Sequence, residues 1–356
     1  MPGSAVDRKA QGVIRACYSA GEDLGAVRTR LFQTLRQVVP FDAAFMAGSD
    51  PETLLFTSAF ADDVLEESRS LFLDSEFGAH PEVNRFVDLA RARDPVASLD
   101  DATGGERAAS SRWREIMGPL GMGDELRGAL RVNGTTWGFL CLHRFGATGF
   151  STSETAVLRK VAPHAGEVLR RVAVAVTNAP MGGSEAVILV ADHVVLAVGG
   201  AVEEIVGDPL VAGGQLPLPL DSVVRRLEAI ETGDAGLDTP PAAIRIVTRS
   251  GTLVTVHAAR LHDASGSGPI VLTIAPAAPA ERSSHLLAAY GLTTAQCRVA
   301  KLVLQGRQTG EIVVDLRISA HTVQDHLKVV FDKVGVRSRR ELVSALMHSS
   351  QSKAVQ

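Results

Sequence analysis

The chain has 356 residues, 46% of them apolar and 21% charged, with a formal net charge of −4. That is globular composition at a length of two or three domains, which excludes a disordered or collagen-like chain and gives no overall field that would draw it to a polyanion. Cys17, Cys141 and Cys297 show neither CxxC nor Cys/His ligand spacing, so buried thiols are expected rather than a disulfide framework or a metal site. The N-terminus is polar, without the apolar core of a signal peptide. The best apolar run, Ala186 to Val198, is cut by Asp192-His193, so a cytoplasmic protein without membrane spans is expected.

In chain order, Leu24, Val27, Leu31, Leu35 and Val38 have helical spacing and stop at Pro40. Strands are expected at 41–47 and 54–58 around a Gly48–Pro51 turn, and at 125–132 and 137–143 around Asn133-Gly134, a strong hairpin signal. A closing helix begins at the capping box Ser151-Thr-Ser-Glu154. It carries Val157, Val161, Ala165, Val168, Val172 and Val176 on one face, which offers either a dimer element or a face packed on its own sheet, and Pro163 is expected to bend it. Of the 12 Phe, 11 lie at or before Phe150, both Trp are there too, and residues 181–280 hold no aromatic residue. Two differently built cores follow, separated at the linker-like stretches 178–184 and 276–280.

Helix, hairpin, helical middle, aromatic hairpin and closing helix in that order resemble a GAF-type sensory domain. The first unit is therefore set at 1–177. The resemblance implies a ligand between sheet and middle helices, with Phe45, Phe56, Trp113, Trp137 and Phe139 as the pocket candidates, although aromatics in alternating strands fill cores in any case. Cys141 and His143 share a strand face, a pair that is more often structural than metallic.

The unit at 184–276 reads as α+β, with strands at 186–191, 194–198, 243–248, 253–260 and 270–274 and a helix at 221–231. It resembles a degenerate PAS-like domain, and His193, His257 and His262 fall in no cofactor motif. Ile188–His193 also suggests the first strand of a phosphoacceptor receiver. The unit has no Lys and no strand-end Asp about fifty residues on, so that reading fails.

From Leu292 three helices follow at short intervals. Thr293 with Gln296 starts the first, Gly306 ends it, a short second helix spans about 309–316, Arg317-Ile-Ser319 turns, and Ser319 caps the third. That is a helix-turn-helix. On a helical wheel Val323, Leu327, Val330 and Val334 form one stripe of the third helix, with His321, Gln324, Asp325 and Lys328 opposite. Residues 292–348 hold nine basic and five acidic side chains, net +4, against −4 for the whole chain. Positive charge therefore gathers where a polyanion would be met.

The pattern Leu292-Thr…Val299…Gly306…Glu311-Ile…Leu316-Arg-Ile-Ser…Thr322-Val…His326…Lys333-Val-Gly-Val-Arg-Ser-Arg339…Leu342-Val resembles the LuxR-type DNA-binding domain. The resemblance implies a four-helix module at 284–356 that binds double-stranded DNA as a dimer. Thr309 and Thr322 would then sit at phosphates and Gln324, Asp325 and Lys328 in the major groove, and Ser319, His321 and Lys333 complete the expected interface. Gln296, Val313, Arg317 and Gln324 depart from the family, which usually has Glu, Ala, a small residue and Lys there.

The expected fold is thus α+β multidomain: GAF-like and PAS-like sensory domains, then an all-α HTH. The expected function is a cytoplasmic, homodimeric transcription regulator controlled by a small-molecule effector or a protein partner, with RNA polymerase as a further partner and no cofactor or metal. The rival reading makes the first two units protein-interaction modules without a ligand. An enzyme is not expected, since GxSxG, P-loop, GxGxxG and HExxH are all missing.

Overall fold

The protein is described from a computed structural model over residues 5–18, 24–78, 82–175, 185–207, 209–234, 239–248, 250–263 and 266–347. Val176 and the expected linker at 178–184 lie outside these residues.

Two helices open the chain, α1 (Ala5–Ala16) and α2 (Leu24–Arg36). The sequence reading missed α1, whose buried Ala10 and Val13, with Cys17 just beyond, pack in the core beneath the closing helix. Strands β1 (Ala43–Ser49), β2 (Phe56–Ala61), β3 (Val96–Ser98), β4 (Met122–Val132) and β5 (Thr135–Phe145) form an antiparallel sheet in the order β2-β1-β5-β4-β3. The middle helices α3 (Arg69–Phe77), α4 (Phe86–Arg91) and α5 (Leu99–Thr103) lie between β2 and β4 in sequence. At the β4–β5 turn Asn133 and Gly134 both have positive φ, 51° and 83°, as a type I′ hairpin requires.

Helix α6 (Thr152–Ala175) begins at the expected capping box, where Glu154 Oε2 accepts from Ser151 N at 2.7 Å and Ser151 Oγ from Glu154 N at 3.3 Å. It runs on through Pro163. Its valine stripe is not an open dimer face. Val157 and Val161 are fully buried in the core shared with β4, β5 and α1, Val168 packs against that core, and among the described valines of the stripe only Val172 is exposed. An amphipathic helix that covers its own sheet has no stripe left for a second copy.

The second unit has β6 (Ala186–Ala191), β7 (Val194–Gly200), α7 (Val202–Val206), α8 (Leu218–Glu231), β8 (Ala243–Val247), β9 (Leu253–Asp263) and β10 (Gly266–Pro276). Its strand order, β7-β6-β10-β9-β8, repeats that of the first sheet: second, first, fifth, fourth, third. Its core is aliphatic, built from Ile188, Val190, Val223, Val224, Ile244, Val256, Leu272 and Ile274.

The expected linker at 276–280 is shorter than read, because β10 reaches Pro276 and α9 (Pro279–Ala289) starts three residues later. The C-terminal unit then comprises α10 (Thr294–Leu304), α11 (Thr309–Leu316), α12 (Ala320–Val334) and α13 (Arg339–Met347). The units are joined by ion pairs. Asp50, after β1, binds Arg245 on β8, and Glu52 binds both Arg245 (3.0 Å) and Lys301 on α10 (3.2 Å).

Candidate DNA interface and sensory cavities

Local capping chemistry builds the C-terminal unit. Gln296 Oε1 accepts from Thr293 N at 3.0 Å and Thr293 Oγ1 from Gln296 N, which closes a capping box on α10. Glu311 Oε2 accepts from Gln308 N at 2.7 Å at the start of α11, and Ser319 Oγ from Thr322 N at 3.0 Å at the start of α12. Arg317, the residue that ends α11, sits in the left-handed region at φ 53°, which explains why a small residue or Gly suits this position. Val299, Val303, Ile312, Val323, Leu327, Val330, Leu342 and Leu346 form the core.

That core fixes which face of α12 looks outward. His321, Gln324, Asp325 and Lys328 are all exposed, and Thr322 and Thr309 are half-buried at the N-terminal ends of α12 and α11. Gln324 Nε2 lies 3.5 Å from Thr309 Oγ1, which also accepts from Arg339 Nη2 at 2.8 Å, so one hydroxyl ties three helices together. The hydroxyl's own proton remains for an external acceptor. His321 Nε2 is 3.5 Å from Asp325 Oδ2, an exposed pair one turn apart. An amide, a carboxylate and an ammonium thus stand on one helix face, the donor and acceptor types that read base edges.

Lys333 is engaged within the unit. Its ammonium donates to Gly291 O at 2.7 Å and to Gln296 Oε1 at 3.2 Å, so it anchors the end of α12 to the start of α10. With Gln296 in place of the usual Glu, that link is a hydrogen bond from the ammonium to a neutral amide oxygen instead of an ion pair. Ser319 likewise spends its hydroxyl on the helix cap and on Thr322 Oγ1 at 2.8 Å.

The five pocket candidates separate. Phe45, Phe56 and Phe139 meet on one sheet face together with Phe72 and Phe86, with ring centroids 5.7 Å apart for Phe45–Phe56, 6.0 Å for Phe56–Phe139 and 4.7 Å for Phe86–Phe139. They pack on one another. Trp113 stands apart on a helical turn, its indole Nε1 donating to Gly123 O at 3.1 Å. Trp137 is on the other sheet face, beneath α6. Strand alternation puts it beside Phe139, but the β4–β5 register shifts between Arg131↔Thr136 and Ala129↔Phe139, so Trp137 and Gly138 together face one residue. The bulge turns Trp137 over. Gly138 is required there, because a Cβ would lie 2.3 Å from Leu169 Cδ1 on α6 and 2.4 Å from Ala47 O.

A buried charged group beside the aromatic cluster escaped the sequence reading. Arg112 Nε donates to Glu125 Oε1 at 3.0 Å, Arg127 Nε lies 3.0 Å from Glu125 Oε2, and Arg127 also binds Glu76. Arg127 covers the Phe86 ring at 4.5 Å. Cys141 Sγ donates to Glu125 Oε2 at 3.5 Å and lies 3.3 Å from His143 Nε2. The signal was present: Glu125 and Arg127 alternate within a strand that is buried from Met122 to Leu130.

Burial opposes ionisation of Glu125, but the two guanidinium groups override it and hold its pKa down at about 2. Burial lowers His143 to about 4 and pushes the Cys141 thiol well above its ordinary value. Glu125, Cys141 and His143 are close enough to share a metal ion. Two arginines already neutralise the carboxylate, however, and the thiol is held protonated, so this donor set fits a cation poorly. A cavity of about 40 Å³ lined by Phe45, Phe72, Met117, Arg112, Arg127 and His143 adjoins the group, with room for a few waters.

Two α+β sheet units are followed by a helix-turn-helix unit. Residues 291–346 match the family described as bacterial regulatory proteins, luxR family, and residues 23–169 match the GAF domain. The chain therefore carries a LuxR-family helix-turn-helix domain and, ahead of it, a GAF domain. No curated protein matches it.

Among solved structures, the LBD domain of VqsR from Pseudomonas aeruginosa is 17% identical, over 48% of this chain and 96% of its own, at a TM-score of 0.31. SdiA from Escherichia coli is 11% identical over 97% of this chain and 99% of its own, at 0.32. The bacteriophytochrome RpBphP3 from R. palustris is 11% identical over 78% and 65%, at 0.32. Among the described residues, no helix is long and apolar enough to cross a membrane.

Proposed function

We propose that the protein is a cytoplasmic transcription regulator that binds operator DNA as a homodimer. In this reading α12 enters the major groove and the two N-terminal units set how the two reading heads are held. One observation carries it: α12 presents His321, Gln324, Asp325 and Lys328 outward from an intact helix-turn-helix core, in the one unit of the three with net positive charge. Gln324 offers an amide to adenine, Asp325 accepts from cytosine, and Lys328 serves guanine or a phosphate. Thr309 and Thr322 position the phosphate backbone. The second unit is PAS-like in this reading, a sensor or docking module with the strand order of the GAF sheet.

The aromatic cluster favours a second reading for the GAF face, a protein-interaction module without a ligand, because its rings fill the space between sheet and helices. Selection from a randomised duplex pool tests the main reading. Gln324→Ala relaxes preference at one base pair per half-site by about 1–3 kcal/mol, whereas Thr322→Ala weakens all sequences alike. Identical base preferences in the two variants would refute the groove assignment.

A further inference from the structure

On the helix-covered face of the GAF sheet, opposite the aromatic cluster, residues of the three units line a partly open cavity of about 150 Å³. The GAF unit contributes Trp137, Leu169 and Ala173, the second unit Arg245 and Val247, and α9 contributes His285. Trp137 and His285 are only 3% and 4% exposed, and their rings meet edge-on at 6.0 Å between centroids. Trp137 Nε1 and both ring nitrogens of His285 are buried without a hydrogen-bond partner among the described residues. Each buried polar atom left unpaired costs about 1–3 kcal/mol, so three such atoms at one cavity call for an occupant.

We propose that this junction is a binding site for an uncharged, benzene-sized molecule bearing a carboxamide or lactam group, whose carbonyl accepts from Trp137 Nε1 and whose N–H meets His285. The chemistry of the walls sets the class. Indole Nε1 can only donate, so the occupant carries an acceptor. Burial holds His285 to about 4, hence neutral, with one nitrogen to donate and one to accept. The Arg245 guanidinium is already engaged by Asp50 and Glu52 and offers no unbalanced charge to a ligand ion. Leu169, Ala173 and Val247 are apolar and suit the body of the molecule. A cavity of this volume takes a benzene-sized ligand. An occupant touching all three units binds only when they are docked, so it shifts the population toward that arrangement.

The probes are benzamide and 2-pyridone, titrated into the full chain by saturation-transfer NMR. Binding in the millimolar range is expected, weakened about tenfold or more in His285→Phe, which keeps a ring but lacks both nitrogens, and in Ala173→Phe, which fills the cavity. Should one variant fail to fold, the other decides. Absence of saturable binding by both probes, or equal binding by wild type and the folded variants, overturns the proposal and leaves the cavity to water. No DNA is needed, so failure here is distinct from failure of the operator reading.

Discussion

Removing Asp50 tests whether the first two units are one block. Its carboxylate, 1% exposed, accepts from Arg245 Nε at 2.9 Å, Arg245 N at 2.8 Å, Glu52 N at 2.9 Å and Thr53 N at 3.3 Å, and the Arg245 side chain is 5% exposed. Breaking a buried pair by deleting one partner costs about 3–5 kcal/mol, because the other charge stays buried. Glu52 still reaches Arg245 Nη1 at 3.0 Å, which places Asp50→Ala near the lower end. At roughly 2–4 °C per kcal/mol the melting temperature should fall by about 6–12 °C. Asp50→Leu with Arg245→Met removes both charges and should recover most of that loss. Differential scanning fluorimetry at neutral pH measures all three proteins. A drop below about 2 °C for Asp50→Ala, or a double variant that falls by the sum of both single losses, would refute the coupling. Burial pushes the Asp50 pKa up, but Arg245 wins and holds it below the usual carboxylate range. The pair's stability is therefore present above about pH 4 and lost as pH falls through the lowered value.

Histidine sets a separate acid sensitivity. His143 and His285 have folded pKa values of about 4, depressed by burial from 6.5, so the unfolded chain takes up protons first and stability falls as pH drops from 6.5 toward 4, at up to about 1.4 kcal/mol per pH unit for each. The melting temperature of His285→Gln should show a shallower acid slope, and an unchanged slope would remove His285 from this account. Arg317→Gly should stabilise the C-terminal unit by about 1 kcal/mol in urea titrations by relieving the left-handed backbone at φ 53°. A fragment starting at Gly291 should melt well below one starting at Pro279, because Leu286 and Leu287 are fully buried in the helix-turn-helix core and burial of a Leu is worth about 2–5 kcal/mol.

What was legible was local. The type I′ turn at Asn133-Gly134, the capping boxes at Ser151 and Thr293, the Ser319 cap and the outward face of α12 each depend on residues within a few positions, and each is where the spacing put it. Features set by distant pairing were not. The shared strand order of the two sheets depends on which strands meet across up to 100 residues, as Ala43 and His143 do, and no spacing encodes it. Trp137 was misplaced because one bulge reverses the alternation that locates every other β5 side chain. The valines of α6 have the period of an interface, and that period is identical whether the partner is another subunit or the helix's own sheet.

Helix α9 shows the same limit at a domain boundary. Read along the chain, 276–280 looks like a linker and 284 like the start of a reader, yet α9 belongs to two cores at once. Leu286 and Leu287 face the helix-turn-helix, while Ala289 lies in the GAF core and His285 meets Trp137. A boundary of this kind is a shared element. Glu52–Lys301 across it is half-exposed and worth about 0–1 kcal/mol, whereas Asp50–Arg245 is buried and worth several times more to break. The ion pairs thus lock the two sheet units to each other more firmly than to α10, and a change in how the reader is held should begin at α9.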